Sequence, residues 1–247
     1  MSPHLCSVTV LVVYWLIVIA NLLTISINAR TIVCISLASK KRRKQFEMLL
    51  LTVIVHMVYN VSSTFHSAYM IIIFHDSTWN DDVIFCFGLV MYPASFCLVC
   101  GNISVVADRL LAIHRPILYA QNIKKSWILI NFCFLVTVFT ATSSSYYMGR
   151  NDEPAEKPHF TYIVNQNVMS IVYIIKCGIS VATVPLTIVF LKELRQFIRT
   201  TERLAVNDSL KMKSAMIPTF QLIVGIVYMI LPVLLMPIYI RIIYVNI

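Results

Sequence analysis

Asp108-Arg109-Leu110-Leu111-Ala112-Ile113-His114-Arg115-Pro116-Ile117-Leu118-Tyr119 follows a run, residues 83–107, that holds no Asp, Glu, Lys or Arg. A helix needs about 20 apolar residues to cross the hydrocarbon core of a bilayer, and this run supplies them. An adjacent acid and base at the end of such a run is costly to place unless the pair works there. The fold turns on whether the run is one span among several.

Composition answers in favour of several. Hydrophobic residues make up 59% of the 247 and charged residues only 13%, where a soluble domain carries roughly a quarter charged. The charges also avoid the long apolar runs, as they must when lipid is the solvent. An ordinary soluble domain is excluded. Five glycines and nine prolines leave no linker or low-complexity segment, and no internal repeat is visible. Residues 1–247 therefore read as a single transmembrane domain. Most of the seven cysteines fall inside apolar runs (Cys34, Cys97, Cys100, Cys133 and Cys177), where a thiol acts as a small apolar group rather than half of a disulfide framework. Only Cys6 and Cys86 read as lying near a surface.

Six runs are long enough to span: 7–37, 48–74, 83–107, 127–148, 162–191 and 215–240. Open sheet edges cannot be satisfied in lipid and the runs do not alternate, so each is expected to be a helix. The fold class is an all-α integral membrane bundle, with six visible helices. The first run has no basic segment before it and is too long for a cleaved signal, which makes it an uncleaved anchor. After residue 240 the chain offers too few residues for another span.

Bases gather on one side. Lys40, Lys41, Arg42, Arg43 and Lys44 lie in the first loop, and Arg109, Arg115, Lys124 and Lys125 in the third. Lys192, Arg195, Arg199, Arg203, Lys211 and Lys213 lie in the fifth. The positive-inside rule puts these loops in the cytoplasm and the N-terminus outside. The net charge of +9 then belongs to a face that meets anionic membrane lipid, and no nucleic-acid partner is implied. Three triplets of the glycosylation type begin at Asn60, Asn102 and Asn207; two lie within spans and one in a cytoplasmic loop, so none is expected to be modified.

On this topology Asp108 and Arg109 stand at the cytoplasmic end of the third span. Asp108 can neutralise Arg109 where desolvation makes a lone guanidinium unfavourable, and a freed Arg fork can engage carbonyls of an inserted partner. The pair, with Leu111-Ala112-Ile113, Pro116 and Tyr119, resembles the Asp-Arg-Tyr end of the third helix in rhodopsin-like G-protein-coupled receptors, with Leu110 in place of the Tyr. Among them the chain looks most like the nematode serpentine chemoreceptors of class BC, on its short outer N-terminus, its compact loops and the Lys40–Lys44 cluster leading into Glu47-Met48. The resemblance implies a seven-helix receptor fold in a sensory cell, at the plasma membrane or cilium, with a small-molecule ligand and a heterotrimeric G protein as partners. It assigns coupling to Asp108, Arg109, Arg115, Pro116 and Tyr119. Pro185 and Pro232 become candidate hinges, although prolines are common in membrane helices. Two departures stand out. A seventh span with its Asn-Pro-x-x-Tyr end is missing, and residues 149–162 hold no cysteine to bridge to the start of the third helix. A truncated, non-signalling remnant is therefore an alternative.

Lys176 is the sharpest residue outside the motif. It lies near the middle of the fifth run, where an ionisable group marks a functional site by default. With Tyr92 and Tyr173 it forms the candidate ligand set, suited to an anionic small molecule. The resemblance offers Asn21 or Asn28 as the family's first-helix asparagine and Asn60 as a polar position of the second helix, but ordinary interhelical hydrogen bonds, worth about 1 kcal/mol each, are the favoured reading. His56 and His66 share no ligating spacing, so no metal is expected, and Asp76, Asp81 and Asp82 around Trp79 read as a solvated turn. No nucleophile motif, phosphate loop or cofactor box is present, so neither an enzyme nor a cofactor is implied. A six-span transporter or channel subunit would also bury polar groups, but would show inverted repeats or paired broken helices.

Overall fold

A computed structural model describes residues 3–37, 46–76, 78–114, 119, 124–151, 153–155 and 158–204. Among them are six helices: α1 (Pro3–Leu37), α2 (Glu47–Asp76), α3 (Asp81–His114), α4 (Lys124–Met148), the short α5 (Phe160–Ile163) and α6 (Gln166–Leu204). Five stretches are long and apolar enough to cross a membrane: Val10–Leu37, Glu47–Phe74, Asp81–His114, Lys125–Met148 and Gln166–Gln196. They correspond to the first five runs. The sixth run, with Pro232, lies outside the described residues, as do Arg115, Pro116 and the Lys40–Lys44 cluster. The chain is an all-helical, multi-pass membrane protein, and its surface agrees. Leu16, Leu23 and Ile27 of α1, Leu129 and Ile130 of α4, and Ile174 and Ile188 of α6 are all exposed, which water would penalise and lipid does not.

Helix boundaries have local causes. The Asn80 side chain accepts the Asp82 N–H at 2.8 Å, a cap on the first turn of α3. Asp81 and Asp82 add negative charge to that turn, where the helix dipole favours it. The solvated turn expected around Trp79 is therefore partly a helix start. Asn165 does the same for α6, accepting the Asn167 N–H at 2.9 Å. This cap explains why α6 begins at Gln166, not at residue 162. At the other end α3 outruns its apolar run and carries Asp108 and Arg109 on helix as far as His114, just before Pro116. A helix usually stops at or before the residue preceding a proline.

The chain divides into two compact units, Met1–Leu98 with Phe132–Tyr173, and Val99–Asn131 with Ile174–Ile247. In the first, Asn21 of α1 donates to Ser63 of α2 at 2.9 Å in a buried hydrogen bond, and Ile35, Leu49 and Val53 pack the same two helices. Asn60 is 1% exposed, and its amide nitrogen and oxygen have no hydrogen-bond partner among the described residues.

The main core of this unit joins Met70, Ile73, Ile84, Phe85 and Tyr146 to three residues of the segment between α4 and α6: Phe160, Ile163 and Val164. That segment is tied at its base by an antiparallel bridge between Arg150 and Val164. Asn151 N–H donates to Ile163 O at 2.9 Å, and Asn165 N–H to Gly149 O at 2.7 Å.

Candidate functional site

The acid-base pair at the end of α3 belongs to the second unit. Asp108 is 1% exposed although it carries a carboxylate. Burial of such a group without partners would cost several kcal/mol, so its neighbours decide whether it stays there. Tyr119 supplies one: its hydroxyl donates to Asp108 Oδ1. Arg109 supplies charge, with Nε 3.7 Å from Asp108 Oδ2 and its own side chain 21% exposed. The carboxylate thus takes a neutral donor on one oxygen and faces a guanidinium on the other. The Arg109 Nε contact is longer than a hydrogen bond.

Such a site can do one thing well. It can hold a buried carboxylate through the Tyr119 hydroxyl on one oxygen while the other oxygen faces a guanidinium. Of the five residues assigned to coupling by resemblance, the structure brings together Asp108, Arg109 and Tyr119, while Arg115 and Pro116 lie outside the described residues.

The candidate ligand residues are placed differently. Tyr92, half-buried in α3, stacks on Phe160 with centroids 4.7 Å apart. Tyr173 in α6 is exposed at 38%, and Lys176, one turn further on, is half-buried. Lys176 belongs to the second unit and the two tyrosines to the first. Pro185 sits inside α6 on an exposed position. Lacking an N–H, it leaves the carbonyl of Val181 without its helical donor, a local weak point suited to bending.

Sequence reasoning passed over a second cluster. Phe160 is 1% exposed and lies among Phe85, Tyr92 and Tyr146. The Phe85 ring stacks at 5.9 Å and Tyr146 meets it edge-on at 5.5 Å. Gly88 forms the floor, because a methyl group there would overlap the Phe160 ring. Above it Arg150 pairs with Asp82 at 2.5 Å and lies over the Phe85 ring at 4.7 Å. The Ala155 N–H donates to Asp81 Oδ2 at 3.0 Å. The available signal was the spacing Asp81, Phe85, Gly88, Tyr92, which sets one side of α3 at steps of four, three and four.

Comparison with known proteins agrees with this architecture. No curated protein matches the chain at a significant level. The family model described as "Serpentine type 7TM GPCR chemoreceptor Srbc" matches residues 6–149, more than half of the chain and the stretch that contains α3 with its acid-base pair. The family is one of receptors, not enzymes. The chain belongs to the Srbc family of serpentine seven-helix chemoreceptors.

Proposed function

We propose that this protein is a chemosensory receptor for a small external molecule and passes its signal to a heterotrimeric G protein through the end of α3. The observation that carries the reading is the buried Asp108, held by the Tyr119 hydroxyl and facing Arg109 at 3.7 Å. In the resting protein the carboxylate offsets the charge of Arg109. On activation the guanidinium turns to backbone carbonyls of the G protein, which a planar fork of five donors suits better than an ammonium. Arg115 and Pro116, which follow α3 in the sequence, complete the coupling set on this reading.

On this reading the N-terminus faces outward and the basic loops lie in the cytoplasm, at the plasma membrane or a sensory cilium. Ligand recognition falls to Lys176, Tyr92 and Tyr173, with a hinge at Pro185 and a second at Pro232. Residues 1–247 act as one receptor domain. Family membership supports the receptor class, and the burial of Asp108 supports the switch.

Arg109→Ala tests it. In cells expressing the full chain, ligand-dependent G-protein activation is expected to disappear while the amount of protein at the cell surface is retained. Signalling that persists at the normal level in this variant would remove Arg109 from the mechanism.

A further inference from the structure

We propose that Phe160, seated over Gly88, is a noncovalent clasp. It holds the segment 149–165 down on the first turns of α3, and the segment can lift and re-seat without a covalent bond being broken.

The contact is built from both sides. On α3 the seat consists of Phe85, Gly88 and Tyr92, with Tyr146 of α4 closing its edge. Two rings lie nearly parallel to Phe160, each at an interplanar angle of 18°, and the third stands across it at 88°. These are the offset-stacked and edge-to-face arrangements that aromatic quadrupoles favour. Glycine in a helix interior is unfavourable relative to alanine. At position 88 it is explained by the ring that fills the space, since any side chain would overlap Phe160.

The remaining ties are weaker. The Arg150–Asp82 pair is short, but its side chains are 38% and 71% exposed, and an exposed ion pair contributes little. The Asp81 carboxylate takes one backbone N–H from Ala155. No cysteine occurs between residues 149 and 165, so nothing covalent can join this segment to α3. Ile163 and Val164 bury themselves in the same core at the base of the segment, beside the Arg150↔Val164 bridge, so the Phe160 ring is the aromatic anchor of the part beyond that base. Its release exposes apolar surface without breaking the Arg150↔Val164 bridge at the base. The clasp is argued from ring contacts of the segment with α3 and α4 and does not depend on the receptor reading.

Amide hydrogen exchange on the full-length protein in lipid nanodiscs tests the idea, read on peptides covering residues 149–165. Gly88→Ala and Phe160→Ala are each expected to speed exchange there about tenfold or more, with peptides from α1 unchanged. Asp82→Asn is expected to change it less than roughly threefold. The decisive comparison is the double variant. With the ring gone, Gly88→Ala has nothing to displace and adds no further effect. If Phe160→Ala does not fold, Phe160→Leu replaces it and is expected to soften the effect of Gly88→Ala in the same way. Three results would overturn the clasp: unchanged exchange in Gly88→Ala, an equal effect of Gly88→Ala with and without the ring, or a uniform rise in all peptides.

Discussion

The Ser143 hydroxyl of α4 donates to the Leu89 carbonyl of α3 at 3.4 Å, and Leu89 is four residues before Pro93. A proline has no N–H, so its i−4 carbonyl loses the ordinary helical donor. Pro93 is itself fully buried. The neighbouring helix thus satisfies the group that the proline orphans, and this is how a proline is tolerated inside a packed membrane helix. A second tie follows nearby, from the Cys97 thiol to the Leu135 carbonyl at 3.4 Å.

Ser143→Ala removes the donor that α4 offers to Leu89 O. The cost is expected to be about 1 kcal/mol, or roughly 2–4 °C in the thermal midpoint of purified protein. In a Pro93→Ala background the helix regains its own N–H donor, and Ser143→Ala should then be close to neutral. Equal shifts in both backgrounds would show that Ser143 acts through something other than the orphaned carbonyl.

Tyr119→Phe takes the hydroxyl from Asp108 Oδ1. A hydrogen bond to a charged group contributes about 1.5–3 kcal/mol, and the carboxylate is too buried for water to replace it readily. The variant is expected to melt several degrees lower. It should also signal above the basal level without ligand, because Asp108 is then less firmly placed to restrain Arg109. A lowered midpoint with unchanged basal signalling would make Tyr119 a purely structural anchor.

Asn165→Ala removes the side-chain cap of α6, and Asn80→Ala that of α3. Each loss is expected to cost about 1 kcal/mol. Asn80→Ala should be the more harmful, because its cap helps set the position of Asp81 and Asp82, which hold the Ala155 N–H and Arg150. Hydrogen exchange at the first turn of each helix reads the effect directly. Replacing Asn80 should loosen α3 while leaving α6 protected.

These details mark the limit of what the sequence disclosed. Span count and order were legible for the five described spans, because twenty apolar residues in a row have few alternatives in lipid. The Asp108-Arg109 pair stood out in the sequence because an acid joins a base directly after an uncharged run of span length, and its role in coupling stays a proposal. The segment between α4 and α6 was not legible. Phe160 stands between polar neighbours, and nothing local says that it turns inward; its burial is matched to Gly88, 72 residues upstream (160 − 88). The cap at Asn80 was present in the sequence, but two acids beside Trp79 read as solvated when the carbonyl and amide partners are unknown. Pro93 was hidden by the run around it, whereas Pro185 and Pro232 drew attention as hinges.

Lys176 offers the sharpest test of ligand chemistry. It is half-buried in α6, in a stretch long and apolar enough to span the membrane, and its own carbonyl accepts the Ser180 hydroxyl at 2.9 Å as part of the helix. An ammonium at that depth is expensive for the fold, so a role confined to packing would be better filled by methionine, which matches its length without the charge. Lys176→Met should therefore raise the thermal midpoint of the protein and at the same time weaken the response to short-chain carboxylates, used as anionic probes, by about tenfold in effective concentration, one ion pair's worth. Lys176→Arg keeps the charge and should retain most of the response. A dose-response curve that does not move in Lys176→Met, in cells with normal surface expression, would take the lysine out of the binding site. A gain in stability alone would then identify it as a charge that the helix tolerates without using.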